Sequence, residues 1–189
     1  MVTVPARPLW HQFKSENLLK KHSCDNSKPF LFGIRGYFYK DNTRGIWDDL
    51  IGFISPTYRV LFNANTDPSI CKTGIANLCP GKWIYQIGLH KNKYKALIQA
   101  EPVKVKRDQC SDFEINKTHN KYGLYLGQGI WQGMFGINIH KGGIPPNYIT
   151  SSLGCQTIFY PQWEEFIKTV TFQMDFYQVK TIPYFLTTT

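Results

Sequence analysis

The chain has no Cys-x-x-Cys pair, no apolar run approaching the ~20 residues of a membrane-spanning helix, and no internal repeat or low-complexity segment. Without paired cysteines, and with His11, His22, His90 and His119 outside zinc-ligand spacing, no structural metal site is expected. No cofactor motif is present, and no membrane span is expected. Acidic residues are scarce: 13 Asp and Glu stand against 22 Lys and Arg, giving a formal charge of +9. Such a balance points to an acidic partner, whether anionic cell-wall polymer, nucleic acid or a membrane surface. The basic residues nevertheless fall in scattered groups, Lys20-Lys21, Lys91 to Lys95 and Lys104 to Arg107, with no recognition helix or finger spacing. A solvated basic surface is the plainer reading, and nucleic acid is not expected as partner. The opening residues Met1 to Pro8 show no charged stretch followed by an apolar one, so no classical secretory signal is visible and synthesis in the cytoplasm is expected.

Cysteines number five, at positions 24, 71, 79, 110 and 155, so at least one is unpaired within the chain. A Cys71–Cys79 bridge is compatible with the spacing but not required by it.

What the chain does have is turn and strand chemistry. Aromatic residues make up 15% of its 189 residues, beside 15 glycines and 11 prolines. That mix favours short strands over long helices, in one domain with a sizeable core. Residues 1–28 stand apart as an N-terminal arm or short amphipathic helix, with Leu9, Phe13 and Lys20 roughly on one face. Residues 29–189 form the domain. Strands are expected from Phe30 to Tyr39, Leu50 to Ile54, Tyr58 to Phe62 and Lys82 to His90, and as two segments from Lys95 to Lys106 broken at Pro102. Asn63 to Ser69 reads as a turn, its polar residues explained without a cation, and residues 107–134 as a long surface excursion. A helix is expected over Pro161 to Val170, opened by proline and early acids, then a closing strand from Thr181 to Leu186. The fold class is mainly β with one or two helices.

The candidate chemistry lies in Gly136-Ile137-Asn138-Ile139-His140 and, after a Gly- and Pro-containing loop, Ser151-Ser152-Leu153-Gly154-Cys155-Gln156-Thr157. A free thiol near pKa ~8.5 supplies little thiolate at neutral pH. An imidazole within reach can take its proton. A lone cysteine is usually a small buried residue and a lone strand-end histidine a satisfied core residue. Their spacing, with glycine before the thiol, makes a catalytic pair the stronger reading. Papain-like and NlpC/P60-like peptidases place Cys before His; here His140 comes first.

With this order, the segment resembles the catalytic motif of the L,D-transpeptidase (YkuD-like) family, which carries a Gly-Ile-His strand, a loop of about this length, then Ser-x-Gly-Cys. The Asn-Ile-His and Leu-Gly-Cys-Gln-Thr wording is also similar to proteins encoded by phages and prophages. Cys79-Pro80-Gly81-Lys82-Trp83 resembles the hairpin before that family's core strands, and the segments from Trp163 to Val170 and Ile182 to Phe185 resemble its tail. Departures are Leu153, where the family often has His or Lys, and Gln156-Thr157, where it has an apolar residue and then Arg or Asn. They bear on substrate choice more than on the nucleophile.

The resemblance implies an L,D-transpeptidase-like β-sandwich or curled mixed sheet. It also implies a cysteine enzyme acting on peptidoglycan stem peptides as transpeptidase, carboxypeptidase or endopeptidase. Cys155 would be nucleophile and His140 its base, with Ser152 orienting the turn and Gly154 permitting an oxyanion-binding backbone. Ser151, Gln156 and Thr157 would meet substrate. His90, also ending a strand, is a candidate for the same cleft against the alternative of a surface residue. Arg35, between glycines in an apolar strand, needs an anion, either Asp67 or a substrate carboxylate. Action in the bacterial periplasm or cell wall, after lysis or through a dedicated secretion machine, follows from this reading, with an immunity or delivery protein as further partner. The alternative is a non-catalytic wall-binding or virion component that keeps the fold.

Overall fold

In the computed structural model, residues 3–12, 27–39, 42–107 and 124–189 are described. Among them, apolar runs bounded by turn residues become the strands of two sheets, beside one α-helix, so the protein is mainly β. The strands of the larger sheet are β1 (Phe30–Arg35), β2 (Asp49–Ile54), β3 (Arg59–Asn65), β5 (Gly81–His90), β6 (Tyr94–Gln99), β10 (Ile139–Lys141), β11 (Gln156–Ile158) and β12 (Thr181–Thr188). They run in the order β1-β12-β5-β6-β10-β11-β3-β2 and close into a barrel. The β1–β12 and β10–β11 pairs are parallel and the other neighbours antiparallel. The expected curled mixed sheet thus closes on itself.

Every residue of β1 and β2 is buried, which matches the apolar runs Phe30 to Ile34 and Leu50 to Ile54; the charged ends Arg35 and Asp49 are buried with them. Glycine makes room for large neighbours there: a Cβ on Gly33 would lie 2.0 Å from the Tyr184 hydroxyl, and one on Gly52 2.1 Å from the Phe32 ring. The strand expected to end at Phe62 continues through Asn65, because Leu50 and Asp49 of β2 pair with Asn63 and Ala64, and Thr157 of β11 pairs with Asn65.

The smaller sheet takes β4 (Ala76–Leu78), β7 (Val103–Arg107), β8 (Leu124–Gly127) and β9 (Ile130–Gly133) in the order β4-β7-β9-β8. Cys79-Pro80 therefore crosses from this sheet to the barrel and is not a hairpin turn, since β4 pairs with β7 and β5 with β6 and β12. Part of the expected surface excursion is instead the β8–β9 hairpin, which buries Trp131 against β7; residues 108–123 lie outside the described part. Cys71 is disulfide-bonded, whereas Cys79 and Cys155 are free thiols, so the Cys71–Cys79 bridge is not formed and the partner of Cys71 lies outside the described residues.

The helix α1 (Tyr160–Phe176) has Pro161 in its first turn and runs past the expected end at Val170. Its apolar stripe continues: Trp163, Phe166, Ile167, Val170 and Met174 are all buried. Phe166 meets Phe62 edge-on at 5.2 Å between ring centroids. Residues 3–12 are an arm laid on the barrel, with a 3-10 turn at Trp10–Gln12. Arg7 holds it, donating to Glu165 at 2.6 and 2.8 Å and to the Leu61 carbonyl at 2.6 Å. Most of the expected amphipathic helix from Leu9 onward lies outside the described residues. No described helix is long and apolar enough to cross a membrane.

Candidate active site

The parallel pairing of β10 with β11 places His140 opposite Thr157, two residues beyond Cys155. Asn138 accepts the Gln156 N–H at 2.8 Å, tying the two motif segments together just before the paired strands. His140 is not at a strand end as expected; it is the middle residue of β10, and the segment before it is irregular. That irregular segment is shaped by Gln99, whose side-chain oxygen accepts the Phe135 and Ile137 N–H groups, both at 3.1 Å. Cys155 and His140 line one open cleft of about 680 Å³, together with His90, Lys91, Tyr94 and Lys141.

The thiol turn is built by Ser152. Its hydroxyl accepts the Gly154 N–H at 3.0 Å and donates to the Cys155 carbonyl, while its own N–H is held by Ser69 Oγ at 2.7 Å. Gly154 adopts φ +135°, and a Cβ there would sit 2.6 Å from the Ala76 carbonyl oxygen. No other residue fits that corner without backbone movement.

Half-buried Cys155 has two hydrogen-bond contacts. The Asn138 N–H donates to Sγ at 3.4 Å, and the thiol donates to the Gly136 carbonyl at 3.3 Å. Among the described residues no hydrogen bond joins Sγ to an imidazole. Burial pushes the thiol up from its ordinary value, opposed by the Asn138 N–H and the Lys91 charge. His140 is lowered to about 4, first by burial and then by the neighbouring His90. Both groups are therefore neutral near pH 7. A carbonyl only accepts, so the 2.7 Å contact between His140 Nδ1 and the Lys141 oxygen assigns the proton to Nδ1 and leaves Nε2 as the base.

His90 belongs to the cleft. Its ring stacks on that of His140 at 4.1 Å and 25°, and Asn138 Nδ2 lies 3.1 Å from its Nδ1. Burial, then Lys91, lowers its pKa. Tyr94 places its hydroxyl 3.4 Å from His140 Nδ1 and is backed by Trp163 of α1, edge-on at 6.3 Å. Ser151 lines the cleft with φ +56°.

Three candidates lie elsewhere. Gln156 and Thr157 are wholly buried in the barrel wall: Gln156 accepts from the Tyr184 hydroxyl and Thr157 contacts the Asn65 carbonyl. The residues after the nucleophile belong to β11, and both side chains are consumed by the interior rather than offered to substrate. Arg35 does not line the cleft either. Its Nε lies 3.0 Å from Asp67 in a buried ion pair, and its Nη2 donates to the Thr66 and Leu78 carbonyls. Of the two anions the sequence allows, Asp67 is the one present. Among the described residues no group of three His, Cys, Asp or Glu side chains is arranged to hold a metal ion.

Asn138, Tyr94, Lys91 and Lys141 were not assigned roles from sequence. Asn138 stands inside the Asn-Ile-His motif, which is its one signal in the sequence, since its contacts with the thiol and His90 arise only in the fold; Lys91 is hidden in a basic cluster that reads as solvated surface. The chain matches no family model, no curated protein and no solved structure.

Proposed function

We propose that the protein is a cysteine acyltransferase or peptidase that modifies peptidoglycan stem peptides. One observation carries the reading: a free thiol and a neutral imidazole whose Nδ1 carries the proton share an open cleft, beside a turn built by Ser152 and Gly154. On this reading the thiol leaves the Gly136 carbonyl when substrate enters, and His140 Nε2 takes its proton as Sγ attacks the peptide carbonyl carbon. The C–N bond then breaks, and the imidazolium returns the proton to the leaving amine. The thioester is resolved by an amine, giving a transpeptidase, or by water, giving a carboxypeptidase or endopeptidase. The Gly154 N–H already serves Ser152, so on this reading the oxyanion is assigned to the Cys155 N–H. A disulfide at Cys71 suits an oxidising compartment such as the periplasm, and the basic charge suits an anionic wall. Purified muropeptides incubated with protein and resolved by mass spectrometry are expected to change with wild type and not with Cys155→Ala. Identical profiles from the two would end the enzymatic reading.

A second reading, a wall-binding component without catalysis, is favoured by one specific observation: the resting thiol bonds to a carbonyl, not to His140, and burial keeps it protonated. Turnover by wild type, lost in Cys155→Ala, excludes it.

A further inference from the structure

The charge lining the cleft is of one sign. Lys91 and Lys141 both line it, and no Asp or Glu is among its lining residues. Neither lysine is in an ion pair with a described carboxylate. Lys141 holds its ammonium 4.5 Å from the Tyr94 ring and 5.7 Å from that of Tyr160, contacts that fix the cation without neutralising it. Lys91 follows His90 in the tight turn between β5 and β6, at φ +50°, with its side chain exposed. Gln156 and Thr157, which follow the nucleophile, are buried in the barrel wall and are not among the residues that line the cleft. We propose that Lys91 and Lys141 form an anion subsite that selects peptides bearing a free carboxylate beside the carbonyl that Cys155 attacks. The charge of Lys91 also lowers the pKa of His90, His140 and Cys155, which places it electrically within the same site.

The inference rests on the acyl-enzyme reading of the cleft, and its test is separable from that reading. Iodoacetate and iodoacetamide alkylate the same thiolate and differ in charge, so the ratio of their rates at Cys155, followed by peptide mapping, cancels the thiolate fraction. In the folded protein at low salt the ratio is expected to exceed that of the urea-unfolded chain about fivefold, the size of a partly screened charge interaction. It should fall with added salt and drop to near the unfolded value in Lys91→Asn/Lys141→Gln, where asparagine tolerates the left-handed turn position. Muropeptides amidated at the side-chain carboxyl or at the C-terminal carboxyl, used as competitors of iodoacetate, then tell which carboxylate is read: the form that loses protection names it. A folded-state ratio equal to the unfolded one, or one indifferent to salt and to both lysines, overturns the proposal even if muropeptides are processed. Charge selection without acyl transfer would instead leave the subsite standing and remove the enzymatic reading.

Discussion

Cys155 rests as a thiol that donates to Gly136, so its reactivity is governed by its own raised pKa and not by an ion pair with His140. Alkylation of Cys155 by iodoacetamide is therefore expected to climb about tenfold per pH unit across the neutral range. An ion-paired thiolate would give a rate independent of pH between about 5 and 7, and such a plateau would contradict this account. His140 has a signature of its own. The unfolded chain binds its proton below the ordinary value of 6.5 and the folded chain only below about 4, so over that window stability rises with pH. Full loss of this term at low pH amounts to about 3 kcal/mol. Asp49, raised to about 7 by burial and by Asp48 and Asp67, has the opposite sign and loses stability as pH rises from 3.8 towards 7. The comparison must accordingly be made against His140→Gln: from pH 6.5 to 4, wild type should lose about 3 kcal/mol relative to the variant in denaturant titrations. A difference independent of pH would show that His140 is not buried as a neutral base. At Gly154, alanine meets both the left-handed φ and the Ala76 carbonyl, and a cost of about 1–3 kcal/mol is expected in the denaturation midpoint. Wild-type stability of Gly154→Ala would mean the turn is not held as described.

Between elements, the site depends on a helix that contributes no cleft residue. Trp163 of α1 backs Tyr94, and Tyr94 contacts His140, while Phe166 anchors the helix on Phe62. Phe166→Ala, at a wholly buried position, is expected to cost about 3–5 kcal/mol in thermal or denaturant unfolding. A cost below about 1 kcal/mol would place α1 outside the cooperative core. Strands were legible wherever β-branched and aromatic runs met Gly or Pro, as at Lys82 to His90 and at the Pro102 break. The helix was legible from Trp163, Phe166, Ile167 and Val170. Pairing was not. Nothing local says that Asn63 to Asn65 extend β3, or that Leu124 to Gly133 fold back as a hairpin, because partners in the other strands decide both. For the same reason Gln156 and Thr157 read as substrate contacts although β11 turns them into the barrel wall.

For the whole molecule, a closed barrel supplies the parallel pair that carries both motif segments, and the proposed acidic partner is the one that the +9 charge would favour. The Cys/His pair was legible as a motif because Ser152, Gly154 and the glycine loop have backbone reasons to be there. His90 was legible as a candidate because it ends a strand; its stacking on His140 and the two cleft lysines were not, since strand pairing alone brings the β5–β6 turn to β10. The most direct measurement is the intact mass of the protein after brief incubation with a stem peptide. The expected result is an acyl adduct, mapped to Cys155, absent from Cys155→Ala and slow to form in His140→Ala. An unmodified mass under conditions where the peptide is consumed, or an adduct on any other residue, would contradict the account.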